Sequence, residues 1–342
     1  MTLSSDKVRL HYLDVLRVIA IIMVLYNHRA TYGWPLAYDQ FNLSFIASSL
    51  LSLLCKCGPP LFFMVSGALI LSRNESFSST FSHRILRIVA IMALLGAWDI
   101  KGNPTPERYI EYLFQKENWY LYAYLAFLLM SPFIRAMVSA MDDRLVRLWF
   151  AFVAGAGVYA ALCRFFFHAS VFPIAHVFLH ARPWASSAWH IIFPISGYLI
   201  AHRLDEQDML RRWIIIGGAA SIALSLTLTS ANILLDLGAE TEMLRQHLIF
   251  LPACAIFLLA KEHITADALP RWLTWVSGAT FGMYLIEVYT RLSSRLEHAL
   301  QGALAGTASI FWIAMLSIAI EFVAYALIAG FAKKLPGLRK LL

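Results

Sequence analysis

The chain predicts an all-α protein embedded in a lipid bilayer, with about ten transmembrane helices and both termini on the cytoplasmic side. Three observations point there. Of its 342 residues, 60% are hydrophobic and 14% charged, with a mean hydropathy of +0.65; a soluble domain runs nearer 45–50% apolar and about 25% charged. Apolar runs of about 20 residues, the length a helix needs to span a bilayer, recur from end to end. The basic residues gather in short clusters in alternate connections: of the 28 Lys and Arg, about 17 fall on one side and about 9 on the other, with Arg17 and Lys56 inside spans. That asymmetry accounts for the net charge of +7 without nucleic acid. With 17 Gly, 12 Pro and 4 Cys, the chain is neither disordered, collagen-like nor a disulfide scaffold.

The spans fall at about 12–31, 43–71, 84–99, 119–138, 148–167, 187–202, 213–232, 243–260, 271–290 and 307–331, all in one membrane-embedded domain over residues 1–342. The first follows Lys7 and Arg9 as a signal peptide would. Asp14 and Arg17 interrupt it, however, and no small-residue cleavage site follows, so it reads as a retained helix. The second carries Gly58-Pro59-Pro60, where the missing donor and the ring clash predict a break. Broken helices in membranes are tolerated where they line a cavity. Beside the break, Lys56 reads as a cation snorkelling outward, and Ser66 next to Gly67 as a helix-packing position. The third span opens on Arg84 and Arg87, preceded by Arg73 and His83. His190, beside Trp189 at the start of the sixth, reads as interfacial.

Cys55, Cys57, Cys163 and Cys254 lie in or beside apolar segments, and Cys55-x-Cys57 is too close-set for an ordinary disulfide. They read as small buried hydrophobes. The outer connections, at about 100–118, 168–186, 233–242 and 291–306, are too short to hold a soluble catalytic domain, and no internal repeat stands out. Any chemistry therefore belongs between the helices or at their mouths.

An ionisable side chain inside a span costs about 2.5–3.5 kcal/mol on insertion scales, so each marks a functional hypothesis. The first span has three. Asp14 and Arg17 are three apart and share a face. Arg17 and His28 are eleven apart, which is three turns plus about 20° and about 16 Å of rise. Both therefore look to one side of the helix, the guanidinium low and the imidazole high. That spacing suits a long donor entering from the cytoplasm, its anionic or polar part held by Arg17 and its reactive end met by His28 as general base. The blander reading is a structural Asp14–Arg17 pair with an interfacial His28.

At this point the sequence resembles a family. Leu13-Asp14-x-Leu16-Arg17-x-x-Ala20 followed by His28 looks like the opening of the acyltransferase-3 family of multi-span membrane acyltransferases. Pro60-Leu61-Phe62-Phe63-Met64-Val65-Ser66-Gly67, Arg84-x-x-Arg87, Trp119-Tyr120-Leu121-Tyr122 up to Pro132, Phe193-Pro194-Ile195-Ser196-Gly197-Tyr198 and Phe281-Gly282-Met283-Tyr284-Leu285-Ile286 follow in the family's order. The resemblance implies transfer of an acyl group, often acetyl, from acyl-CoA to a hydroxyl or amine of an envelope or exported carbohydrate, in the inner membrane. It makes Arg84 and Arg87 donor-binding residues beside Arg17, where guanidinium groups suit phosphates; it does not extend to Arg73 or His83.

A catalytic imidazole needs an orienting group, and Glu287, high in the ninth span, is the acid at a similar depth to His28. The competing reading is a carboxylate snorkelling outward and paired with Arg291 at i+4. Many family members carry histidine after the corresponding Tyr-Leu-Ile, so the role of position 287 comes from the residues alone. The expectation is a membrane acyltransferase whose catalytic residues are His28 and Glu287. Arg17, Arg84 and Arg87 bind the donor, Asp14 gives structural support, and acyl-CoA (acetyl-CoA) is a substrate rather than a resident cofactor. Its partners would be the bilayer and a carbohydrate or glycolipid acceptor, with a homo-oligomer compatible with the chain. In the loop before the sixth span, His176-x-x-x-His180 has no third ligand close by, so no metal is expected. His168 and the aromatic Phe172, Phe178 and Trp184 would suit stacking on a sugar ring. Two other classes fit the spans and buried charges: a transporter or flippase of a sugar or acyl compound, and a ligand-sensing membrane module without catalysis.

Overall fold

The computed structural model describes residues 10–28, 43–99, 102, 105–113, 118–167, 189–236, 247–264, 269–290, 292–304 and 310–341. Among these the secondary structure is helical, with no strand. In chain order the helices are α1 (His11–Asn27), α2 (Leu43–Cys55), α3 (Gly58–Ile70), α4 (Phe77–Thr80), α5 (Leu86–Asp99), α6 (Pro106–Leu113) and α7 (Trp119–Ala140). They continue with α8 (Asp143–Phe167), α9 (Trp189–His202), α10 (Asp208–Leu234), α11 (Phe250–His263), α12 (Arg271–Thr290), α13 (Leu292–Leu304) and α14 (Ile310–Ala332).

Each apolar segment read from the sequence contains helix among its described residues. Among the described residues, six helices are long and apolar enough to cross a membrane, at Ile46–Ile70, Phe77–Trp98, Trp119–Ala140, Asp143–Phe166, Asp208–Leu234 and Trp312–Ala332. His190–His202 forms a shorter apolar helix. The third segment starts earlier than its hydropathy indicated. Ser76 caps α4, its Oγ accepting from the Ser79 amide at 3.3 Å. The chain then passes through a π-helical turn, Phe81–Ile85, before α5. The polar stretch Ser78-Ser79-Thr80-Phe81-Ser82-His83-Arg84 lowers the local hydropathy although it is helical.

The break in the second segment is where the prolines placed it. Lys56 and Cys57 form a turn between α2 and α3, and Pro59 sits in the first turn of α3, where no intrahelical N–H is needed. Gly58 lets this elbow lie against α1: an added Cβ would come within 3.0 Å of the Ala20 carbonyl oxygen. Further on, α3 and α9 cross almost backbone to backbone. A Cβ at Gly67 would overlap the backbone of Pro194, and one at Gly197 that of Met64. His202 adds a hydrogen bond from Nε2 to the Ala68 carbonyl at 3.0 Å.

Two large apolar cores result. One joins the lower half of α1 (Leu13, Leu16, Ala20) to α3, α7, α9 and α11. The other joins its upper half (Ile21, Val24, Leu25) to α5, α12 and α14. Helix α1 is thus the mast between them. All four cysteines are unpaired, with Cys55, Cys57 and Cys254 buried.

Candidate functional site

Placing α1 between the two cores gives its polar residues protein neighbours rather than lipid. Asp14 is 2% exposed. Its Oδ1 accepts from Arg17 Nη1 at 3.2 Å and from Ser277 Oγ of α12 at 2.6 Å. The carboxylate holds the guanidinium from one side while a second helix holds the carboxylate.

Three turns higher, His28 caps α1, its amide bonded to the Val24 carbonyl at 3.1 Å. Its Nδ1 lies 3.2 Å from Glu287 Oε1, and the side chains are 39% and 2% exposed respectively. In the tautomer where Nδ1 carries the hydrogen, the carboxylate accepts it and Nε2 keeps its lone pair. Glu287 is buried and turned toward the imidazole, not out toward the interface. Arg291, the partner in the competing reading, lies outside the described residues.

Arg17, His28, Arg84, Arg87 and Glu287 line a single cavity of about 760 Å³. Its walls come from α1, α3, the π-turn, α5, α7, α12 and α13. Arg84 is gripped by Glu75, with Nε to Oε2 at 3.2 Å and Nη2 to Oε1 at 3.0 Å. Arg87 donates from Nε to the Leu341 carbonyl at 2.8 Å and stands 5.6 Å from the centre of the Phe281 ring. Lys333 donates to the carbonyl of Gly278, which lines the cavity. Its ammonium is held below the usual lysine range, first by burial and then by Arg87 and Arg17.

An aromatic wall, which the sequence reading missed, completes the lining. Tyr120 stands 5.0 Å from Tyr284 and 6.5 Å from Phe62, centroid to centroid, and is stacked on Tyr124 at 6.4 Å. Tyr120 and Tyr124 are i, i+4 on α7, a helical spacing that could have revealed the wall. Ser277 carried no signal, since nothing in one sequence links it to Asp14. Glu321, 1% exposed within α14 and accepting from Ser317 Oγ at 2.9 Å, is a buried acid the reading also passed over.

Other candidates stand apart. Arg73 pairs with Glu75 at 3.3 Å, and His83 bonds the Ser79 carbonyl at 3.1 Å; neither is among the described residues that line the cavity. Ser66 lines it, but its hydroxyl is donated to the Phe62 carbonyl of its own helix at 2.9 Å. Lys56 and His190 are half-buried. His168, His176, His180, Phe172, Phe178 and Trp184 lie outside the described residues, and among the described ones no three His, Cys, Asp or Glu gather as a metal site.

A charged, aromatic-walled chamber among membrane helices is compatible with several families. The decisive comparison is with the model of the acyltransferase-3 acyltransferase domain, which matches residues 10–326. The chain belongs to the acyltransferase-3 family. The match covers α1 through most of α14, so it includes every residue of the cavity wall. No curated protein and no solved structure matches the chain. This acyltransferase-3 protein is therefore a multi-pass membrane acyltransferase whose donor and acceptor must be argued from the cavity.

Proposed function

We propose that this protein transfers an acyl group, acetyl foremost, from acyl-CoA to a hydroxyl of an envelope or exported carbohydrate in the inner membrane, with His28 as general base. The reading includes ten crossings and cytoplasmic termini, which put Arg17, Arg84 and Arg87 at the inner end of the chamber. One observation carries it: His28 and the guanidinium groups of Arg17, Arg84 and Arg87 line one chamber, with Arg17 about 16 Å of helical rise below His28 on α1.

The donor's phosphates bind the guanidinium groups by charge-assisted hydrogen bonds, and its arm runs along the aromatic wall. The acceptor hydroxyl lies at His28 Nε2. As its oxygen bonds to the thioester carbonyl carbon, its proton passes to Nε2. Collapse then breaks the C–S bond, and the thiolate takes that proton to leave as the free thiol. Glu287 stabilises the imidazolium and fixes the tautomer. No acyl-enzyme is needed, because Ser66 has no base beside it.

The test incubates membranes carrying the protein with radiolabelled acetyl-CoA. Labelled carbohydrate is expected from the wild type. Removal of a general base costs about 10²–10⁴-fold in rate, so His28→Ala should lower kcat by that much with little change in the donor KM. Full activity in His28→Ala overturns the mechanism. Donor binding without product would identify a sensing module, and no interaction with CoA a transporter.

A further inference from the structure

When the acceptor oxygen bonds to the thioester carbonyl carbon, the carbonyl oxygen takes the electron pair of the π bond and becomes an oxyanion. Enzymes of acyl transfer meet that charge with preorganised N–H or O–H groups. Several hydroxyls line the chamber, and three of them are engaged within the protein. Ser66 donates to the Phe62 carbonyl at 2.9 Å, Ser277 to Asp14 Oδ1 at 2.6 Å, and Thr280 to the Ser277 carbonyl at 3.0 Å.

We propose that the Tyr284 hydroxyl is the hydrogen-bond donor to this oxyanion. Tyr284 forms part of the chamber wall and is 8% exposed. Its Oη is shut away from water and has no hydrogen-bond partner among the described residues. A hydroxyl in that condition costs the fold free energy, and a ligand oxygen that accepts its hydrogen removes the cost. Packing against the Tyr120 ring, 5.0 Å away between centroids, holds the phenol in place before any ligand arrives.

Two contacts set its level against the reacting groups. Low on α1, Asp14 meets Ser277 of α12; high on α1, His28 meets Glu287 of the same helix. The two helices therefore run side by side in one direction. Tyr284 comes three residues before Glu287, on the same side of α12 and about 4.5 Å lower along it. That level lies between the base and Arg17, on the path of a donor whose reacting carbon is at His28. Tyr284 keeps its own proton throughout. It hydrogen-bonds the carbonyl oxygen while the new C–O bond forms, and releases it when the C=O re-forms and the C–S bond breaks. The acceptor's proton travels through His28 to the thiolate, so no atom or electron pair is gained or lost at the phenol.

The inference rests on the proposed acetyl transfer, and the experiment separates the two. Tyr284→Phe, which removes the hydroxyl and keeps the ring, is assayed beside wild type and His28→Ala for kcat, donor KM, equilibrium binding of CoA and melting temperature in detergent. Loss of one oxyanion donor costs on the order of 10²-fold in kcat, and that fall is expected with donor KM and CoA binding unchanged. The melting temperature should hold level or rise, because an unpaired buried hydroxyl stabilises nothing. A kcat for Tyr284→Phe within threefold of wild type overturns the proposal. So does a fall in kcat accompanied by a lower melting temperature or by lost CoA binding, which assigns the hydroxyl to the fold or to the donor site. A wild type that transfers no acetyl group overturns the parent reading and this inference with it. If His28→Ala stays active while Tyr284→Phe loses kcat alone, the base is wrong and the oxyanion donor stands.

Discussion

In the proposed reaction Glu287 acts only through the imidazole it holds, and that makes its removal informative. Glu287→Gln keeps an oxygen able to accept from Nδ1 but withdraws the charge that stabilises the imidazolium. Loss of the equivalent carboxylate in an acid–base–nucleophile triad costs up to about 10⁴-fold. Here kcat should fall about 10²- to 10⁴-fold with donor KM unmoved, measured by initial rates over a range of acetyl-CoA concentrations. A Glu287→Gln enzyme of wild-type kcat would make the 3.2 Å contact structural. At this scale the sequence was partly legible. Asp14, Arg17 and His28 stand out because charge inside an apolar helix is costly, and their periodicity fixes a common face. Ser277 was invisible, since a hydroxyl in a span is unremarkable until another helix gives it a neighbour.

Among the elements, the crossing of α3 and α9 is the most demanding joint. Without a hydrophobic driving force between helices in lipid, close approach over small residues provides the contact, and here two glycines face each other's partner backbone. Gly67→Ala places a methyl group where Pro194 already stands. Overpacking of this kind costs about 1–3 kcal/mol, and because the obstruction is backbone rather than a flexible side chain, the upper end is expected. The check is the melting temperature of detergent-solubilised Gly67→Ala, which should fall; Gly155→Ala, with open space around its Cβ, is the control. The motif around each glycine was readable, but not that the two meet. The elbow at Gly58-Pro59-Pro60 was readable because proline chemistry is local. The π-turn was not: its wider winding leaves no mark on hydropathy, and such turns recur at functional sites. This one carries Arg84.

For the whole molecule, the end of the bundle around Arg84 is tied by one residue. Glu75 pairs with Arg84 and Arg73 through its carboxylate, and its backbone carbonyl accepts from Arg135 Nη1 of α7 at 2.9 Å. Arg135 also reaches the Ile70 carbonyl at 3.3 Å. The Arg84 hydrogen bond holds the Glu75 carboxyl below the usual carboxylate range against the opposing effect of burial, with the charge of Arg84 and the hydrogen bond and charge of Arg73 adding to it. A carboxyl depressed in the folded state contributes stability above its unfolded value near 4.5, and the contribution is lost as the pH falls through the lower folded value. Glu75→Gln should therefore lower the melting temperature at pH 7 by an amount equivalent to less than about 1 kcal/mol, since the pair is solvent-accessible. The difference from wild type should close as the pH drops below the carboxylate range. A gap that persists there would assign the effect to the backbone contact instead. Composition alone made the membrane class plain, whereas the two cores that share α1 depend on which faces meet, a pairing that one sequence does not encode in any local pattern.

That shared helix has a consequence for which donors fit. Arg17 and His28 ride on one rigid rod, so breathing of the flanking helices cannot stretch or shorten the interval between them. In the proposed reaction the chamber would work as a gauge: a molecule whose charged head and reacting carbon lie too near or too far apart would be turned away, however well either end alone would bind.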